Sequence, residues 1–190
     1  MERRDLLKMI AAATGAAMIG VPAFVYGQEP VPAANNAFSA ADVATLDEIA
    51  ETILPRTKTP GAKDAGVGLF MAQFATDCYT AENQATFRAG LADIDKRAGG
   101  RFVSLKPEAR TELLRTLDAE ARKQAKAIAA ASGADKEALK PHYFTMIKQL
   151  AIFSFFTSEV GSTKVLRYVA VPGRYDGDMH YEPGTPGWAT

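Results

Sequence analysis

The densest set of chemistry-bearing side chains in this 190-residue chain is Asp176-Gly177-Asp178-Met179-His180, two carboxylates and an imidazole within five residues. Carboxylate and imidazole ligands suit a divalent ion. One reading is therefore a stand-alone metal-dependent enzyme that uses Asp176, Asp178 and His180. The spacing matches no structural-zinc pattern, and the chain has a single cysteine, Cys78. Acid-rich segments with glycine form turns more often than ion cages, and the turn is the favoured reading here. His142 follows Pro141 near a helix start and reads as a half-buried residue at a helix end.

Nucleophilic and nucleotide chemistry find less support. Ser158-Glu159 near Gly161 lacks the G-x-S-x-G frame of a nucleophile elbow and reads as a polar helix end stopped by glycine. Gly66-Val67-Gly68 is too short for a dinucleotide fingerprint and follows no strand pattern. Neither Ser154, Ser158 nor Cys78 has a base beside it in sequence. Cys78 has no second cysteine to pair with in its own chain. It reads as a small buried apolar group, with pairing between chains as the alternative. No segment argues for an enzyme by itself.

The elements around these residues follow the helical period. Ser39 with Asp42 is a capping-box variant, and Val43, Leu46, Ile49, Ile53 and Leu54 form a stripe that Pro55 stops. A loop with Pro60-Gly61 follows. Residues 67–98 are predicted helical in one or two pieces, with a break in the polar stretch 80–83. Leu69, Phe70, Phe74, Cys78, then Phe87, Leu91 and Ile94 give the apolar stripes. Pro107 suits a helix first turn, with Leu113, Leu114, Leu117 and Ala121 as its buried face and 122–131 as an exposed extension. Residues 142–160 are apolar over most of a helix circumference, which predicts either a central helix or one with a side turned to another protein. The tail, 171–190, is too rich in Pro and Gly for a long regular element, yet its aromatics mark a segment that anchors on its own domain or on a partner.

The chain opens with Arg3-Arg4, then Leu6, Leu7 and Lys8, and is uncharged from Met9 to Gly27. A basic start, an apolar run and small residues beyond it make an export signal, and paired arginines make it a twin-arginine (Tat) signal that carries folded cargo. The run is Ala-rich, broken by Gly15, Gly20 and Pro22, and at the lower limit of a bilayer span, so a retained anchor is the lesser reading. Val25-Tyr26-Gly27 and Val31-Pro32-Ala33 are the two small-residue cleavage frames. Lys and Arg number 22, as do Asp and Glu, and the body after the signal stays within one charge of neutral. Nothing there favours nucleic acid, which needs a basic face. The expected organisation is a signal over 1–27, a linker over 28–38, a helical domain over 39–170 and an extended tail over 171–190. The fold class is all-α: a small irregular helical domain with a Gly/Pro-rich extended tail.

Several segments, in order, resemble the gluconate 2-dehydrogenase subunit 3 family. They are Arg3-Arg4, Glu51-Thr52-Ile53-Leu54-Pro55, Thr59-Pro60-Gly61-Ala62, Ala65-Gly66-Val67, Phe155-Phe156-Thr157-Ser158-Glu159-Val160-Gly161, Tyr168, Val171-Pro172-Gly173 and the aromatic tail over 175–188. The resemblance implies a helical subunit without catalytic residues or a cofactor of its own. Its partner would be a large FAD-containing dehydrogenase of the glucose-methanol-choline class, with a cytochrome c subunit carrying haem often completing the complex. The small subunit would escort the large one through the Tat translocase to the periplasm and remain membrane-associated through the complex. Arg3 and Arg4 would be the targeting residues. Phe155, Phe156, Ser158, Glu159, Tyr168, Tyr175, Tyr181 and Trp188 would be the partner-facing or site-shaping ones. A chaperone that releases its client after export is the other alternative.

Overall fold

Ser39 starts the first helix by satisfying backbone donors that a helix end leaves open. In the computed structural model, which describes residues 38–131, 140–171, 173 and 177–189, its N–H donates to Asp42 Oδ2 at 2.9 Å while the Asp42 N–H donates to Ser39 Oγ at 3.2 Å. That reciprocal pair is the expected capping box. Helix α1 (Ala40–Ile53) follows, burying Leu46 and Ile49 completely. It ends before Pro55, which cannot donate to a further helical turn. The packed unit begins one residue before the cap, because Phe38 is buried edge-on to Phe87 with ring centres 5.7 Å apart. Residues 1–37, with the signal and most of the linker, lie outside the described residues.

Carboxylates on α1 then fold the loop back. Glu51 accepts the N–H of Arg56 and the N–H of Lys63, both at 2.9 Å. Glu48 pairs with Lys63 and with Arg110, and Asp64 takes the Gly61 N–H at 2.8 Å while pairing with Arg56. A side chain at Gly61 would put its Cβ 2.5 Å from Arg56 N and 2.6 Å from Glu51 Oε1, so only glycine fits inside this clamp. A short 3-10 turn, Lys63–Ala65, leads into α2 (Val67–Cys78), whose first turn is tied to α1 by Gly68 N–H donating to Asp47 at 2.9 Å.

The predicted break between α2 and α3 (Ala81–Arg97) is present. Thr80 caps α3, and Gln84 donates back to Thr76 O and Tyr79 O at the end of α2. A 3-10 turn, Phe102–Ser104, buries Phe102 and is held by its N–H on Asp95 at 2.8 Å. Pro107 opens α4 (Pro107–Ala130), which buries Leu114, Leu117 and Ala121 and leaves its second half mostly exposed, as expected from the Ala- and Lys-rich sequence.

Helix α5 (Tyr143–Thr157) packs against all four others and is the central element. His142 caps it, its Nδ1 accepting the Phe144 N–H at 3.2 Å. Phe144, Ile147, Leu150, Ala151 and Phe155 enter the core. Polar ties bind the bundle outside that core: Tyr143 Oη donates to Asp93 at 2.6 Å, Arg97 bridges Asp93 and Glu120, and Lys148 pairs with Asp118 at 2.6 Å. After a π-helical turn, Gly161–Val165, strand β1 (Arg167–Tyr168) pairs in parallel with β2 (Trp188–Ala189), Arg167 opposite Trp188. The strand pair ties the tail to its own domain, and among the described residues of the tail it is the only regular structure. Among the described residues no helix is long and apolar enough to cross a membrane.

Two stability predictions follow from these contacts. Glu51→Gln leaves one of two clamped N–H groups facing an amide, and should cost about 1–3 kcal/mol in chemical denaturation. Lys126→Gln on the exposed half of α4 should stay within about 0.5 kcal/mol. Acid should also weaken the bundle. Hydrogen bonds from Tyr143, Lys148 and Arg97 hold the Asp93, Asp118 and Glu120 carboxyls below their usual range. Depressed carboxylates stabilise fully above their unfolded values, near pH 4, and the contribution is lost as pH falls through the folded ones. The melting temperature by circular dichroism should be flat at neutral pH and drop below about pH 4.

Candidate functional site

Among the described residues, the chemistry-bearing side chains do not converge on one place. Asp176 lies outside the described residues. Among the described residues, no group of three or more His, Cys, Asp or Glu is arranged to hold a metal. His180 sits in a shallow depression with Arg167, Tyr181, Glu182 and Thr185. Ser158 is a turn group: its Oγ donates to Phe155 O at 2.6 Å and accepts the Gly161 N–H at 2.9 Å. A Cβ on Gly161 would fall 1.9 Å from Phe155 O, which explains a glycine at that step. Cys78 is a correction. It is exposed, because it ends α2 on the side turned from the core. Partial desolvation, with the Asp77 charge added, pushes its thiol up, away from the reactive thiolate.

The residues expected to face a partner divide between core and surface. Phe155 is 3 % exposed and packs inside the core, which corrects its assignment as a partner-facing group. Phe156 is half-buried against Phe155, ring centres 5.1 Å apart and edge-on. Glu159, Tyr168, Tyr181 and Trp188 are exposed. The Trp188 ring is covered on one face by the Arg167 guanidinium at 4.1 Å, a cation–π contact across the strand pair. Arg3, Arg4 and Tyr175 lie outside the described residues.

A different surface stands out. Helix α2 turns its small and flexible residues inward, with Val67, Gly68, Met71, Ala72 and Ala75 buried. Its largest apolar residues point outward: Leu69 is 43 % exposed, Phe70 is 41 % exposed and Phe74 is half-buried. The stripe expected on α2 from Leu69, Phe70, Phe74 and Cys78 is thus the outer one. Helix α5 meets it there with Ile152 and Phe153, 37 % and 47 % exposed. Phe153 lies 6.5 Å from Phe70 and 5.7 Å from Phe74, ring centre to ring centre. Phe74 continues inward through Tyr79, edge-on at 5.7 Å, to buried Phe87 at 5.9 Å. Among the described residues the rings of Phe70, Phe74 and Phe153 join two packed helices in one apolar face, flanked in sequence by exposed Leu69 and Ile152 and backed by core aromatics. The sequence carries a signal for it: Val67, Met71 and Ala75 make a second stripe on α2, so that helix, like α5, is apolar on more than one side.

Single exposed apolar residues are ordinary, whereas a contiguous group of this kind marks an interaction surface. Its chemistry is that of protein contact: the exposed side chains Leu69, Phe70, Ile152 and Phe153 carry no charge. Neither a curated protein nor a solved structure matches the chain. The model of the family described as gluconate 2-dehydrogenase subunit 3 matches residues 40–173, from the first residue of α1 to beyond β1, and the chain belongs to that family.

Proposed function

We propose that this chain is the non-catalytic small subunit of a periplasmic, FAD-dependent dehydrogenase of the glucose-methanol-choline class that oxidises a sugar or sugar acid. Its Arg3-Arg4 leader takes the folded catalytic subunit through the Tat translocase and supports that subunit's maturation. The FAD belongs to the large subunit. A cytochrome c subunit with its haem passes electrons onward, and the complex holds the chain at the membrane. Family membership over residues 40–173 carries this reading. The uncovered apolar face on α2 and α5 supports it, since a subunit needs a surface that only a partner completes.

Co-export tests it. Replacing Arg3 and Arg4 together by Lys should leave both this chain and the flavin subunit in the cytoplasm, measured by fractionation and flavin fluorescence of the periplasmic extract. A flavin subunit that still reaches the periplasm would overturn the escort role. The native mass of the exported material separates a lasting subunit, which elutes with its partner, from a chaperone that has let go.

A further inference from the structure

The uncovered face has a charge signature as well as an apolar one. Helix α2 contains no basic residue, and the one on α5, Lys148, is engaged by Asp118 at 2.6 Å. The exposed charges that border the face in sequence are acidic: Asp77, three residues after Phe74, and Glu159, two residues past the end of α5. We propose that Leu69, Phe70, Phe74, Ile152 and Phe153 form the docking site for the dehydrogenase's catalytic subunit, which presents an apolar strip bordered by Lys or Arg.

This rests on the proposed function for the existence of that partner and adds where it binds. The acidic border selects against a second copy of this chain. A two-fold contact puts one patch against itself and gathers the Asp77 and Glu159 carboxylates of both copies, with no basic residue on α2 and Lys148 of α5 already paired, where a heteromeric partner offers cations. The tail is the weaker site. The Trp188 ring already has Arg167 over one face, and the strand pair ties that segment to its own domain. Phe70 and Phe153, by contrast, are rigid aromatic anchors on helices that the core holds in place, the kind of group that dominates interface energies.

The test uses the full chain produced together with the catalytic subunit. Phe70→Asp and Phe153→Asp change side chains that are 41 % and 47 % exposed and outside the core, so the chain should keep its helicity and fold, with the melting temperature lowered only modestly. Each should weaken retention of the catalytic subunit by about thirty-fold, the loss typical of removing one hot-spot aromatic. Tyr181→Ala in the tail should change retention by less than about five-fold. Cys78 gives an independent readout, since it is exposed and follows Phe70 and Phe74 at four-residue spacing on α2. Maleimide labelling of Cys78 should be faster in the isolated chain than in the complex. Wild-type retention with both Asp variants, together with equal labelling of free and bound chain, overturns this docking site while leaving the partner reading intact. A wild-type chain that retains no catalytic subunit removes both. An isolated chain that dimerises until Phe153→Asp is introduced assigns the face to a second copy and overturns the proposal.

Discussion

The carboxylates of α1 close the loop that sets α2 against it, and much else follows from that closure. Asp47, Glu48 and Glu51 reach the Gly68 N–H, the Lys63 and Arg110 side chains, and the Arg56 and Lys63 N–H groups. A loop with two prolines nearby and no disulfide has few other ways to hold one shape. Hydrogen bonds from backbone N–H groups to a charged acceptor are about twice as strong as neutral ones, and several converge on one helix edge. With the loop fixed, α2 enters at a set rotation. Its small residues and the flexible Met71 are buried, and Leu69 and Phe70 are left exposed with Phe74 half-buried beside them.

The same rotation makes α5 central yet incomplete. Four helices surround it and take Phe144, Ile147, Leu150, Ala151 and Phe155. The arc carrying Ile152 and Phe153 meets the outer stripe of α2, and among the described residues no further helix covers it. The two readings of this apolar helix, as a central helix and as one with a side turned to another protein, therefore describe different arcs of one element. Polar ties from Tyr143 and Lys148 to Asp93 and Asp118 fix α5 in depth and rotation, so the uncovered arc is held in one orientation.

What the sequence reveals is whatever local chemistry determines. The Ser39/Asp42 box, the stop before Pro55, the break at Thr80, the start at Pro107 and the exposed second half of α4 each depend on a few neighbouring residues. What it hides depends on rotation about a helix axis. Helix α2 has two apolar stripes, and size alone assigns the inner one to Leu69, Phe70, Phe74 and Cys78. Packing reverses that: α2 approaches α1 closely at the Asp47–Gly68 contact, and the face buried there carries Val67, Gly68, Met71, Ala72 and Ala75. Phe155 goes the opposite way: named with Phe156 among the partner-facing or site-shaping groups, it is buried, and the turn made by Ser158 and Gly161 folds over it. The parallel pairing of Arg167 with Trp188 joins residues far apart in the chain and leaves no periodic trace.

Three of the segments that carry the family resemblance hold backbone in place. Glu51 in Glu51–Pro55 holds the loop, Gly61 in Thr59–Ala62 fits only because it lacks a Cβ, and Gly161 in Phe155–Gly161 passes against Phe155 O. Backbone geometry accounts for these residue types. The Phe70, Phe74 and Phe153 face lies outside those segments and makes no demand on the backbone. A constraint of that kind comes from what the surface must meet. The fold specifies its own framework through the motifs, and the side chains it leaves over are where a partner's shape would be recorded.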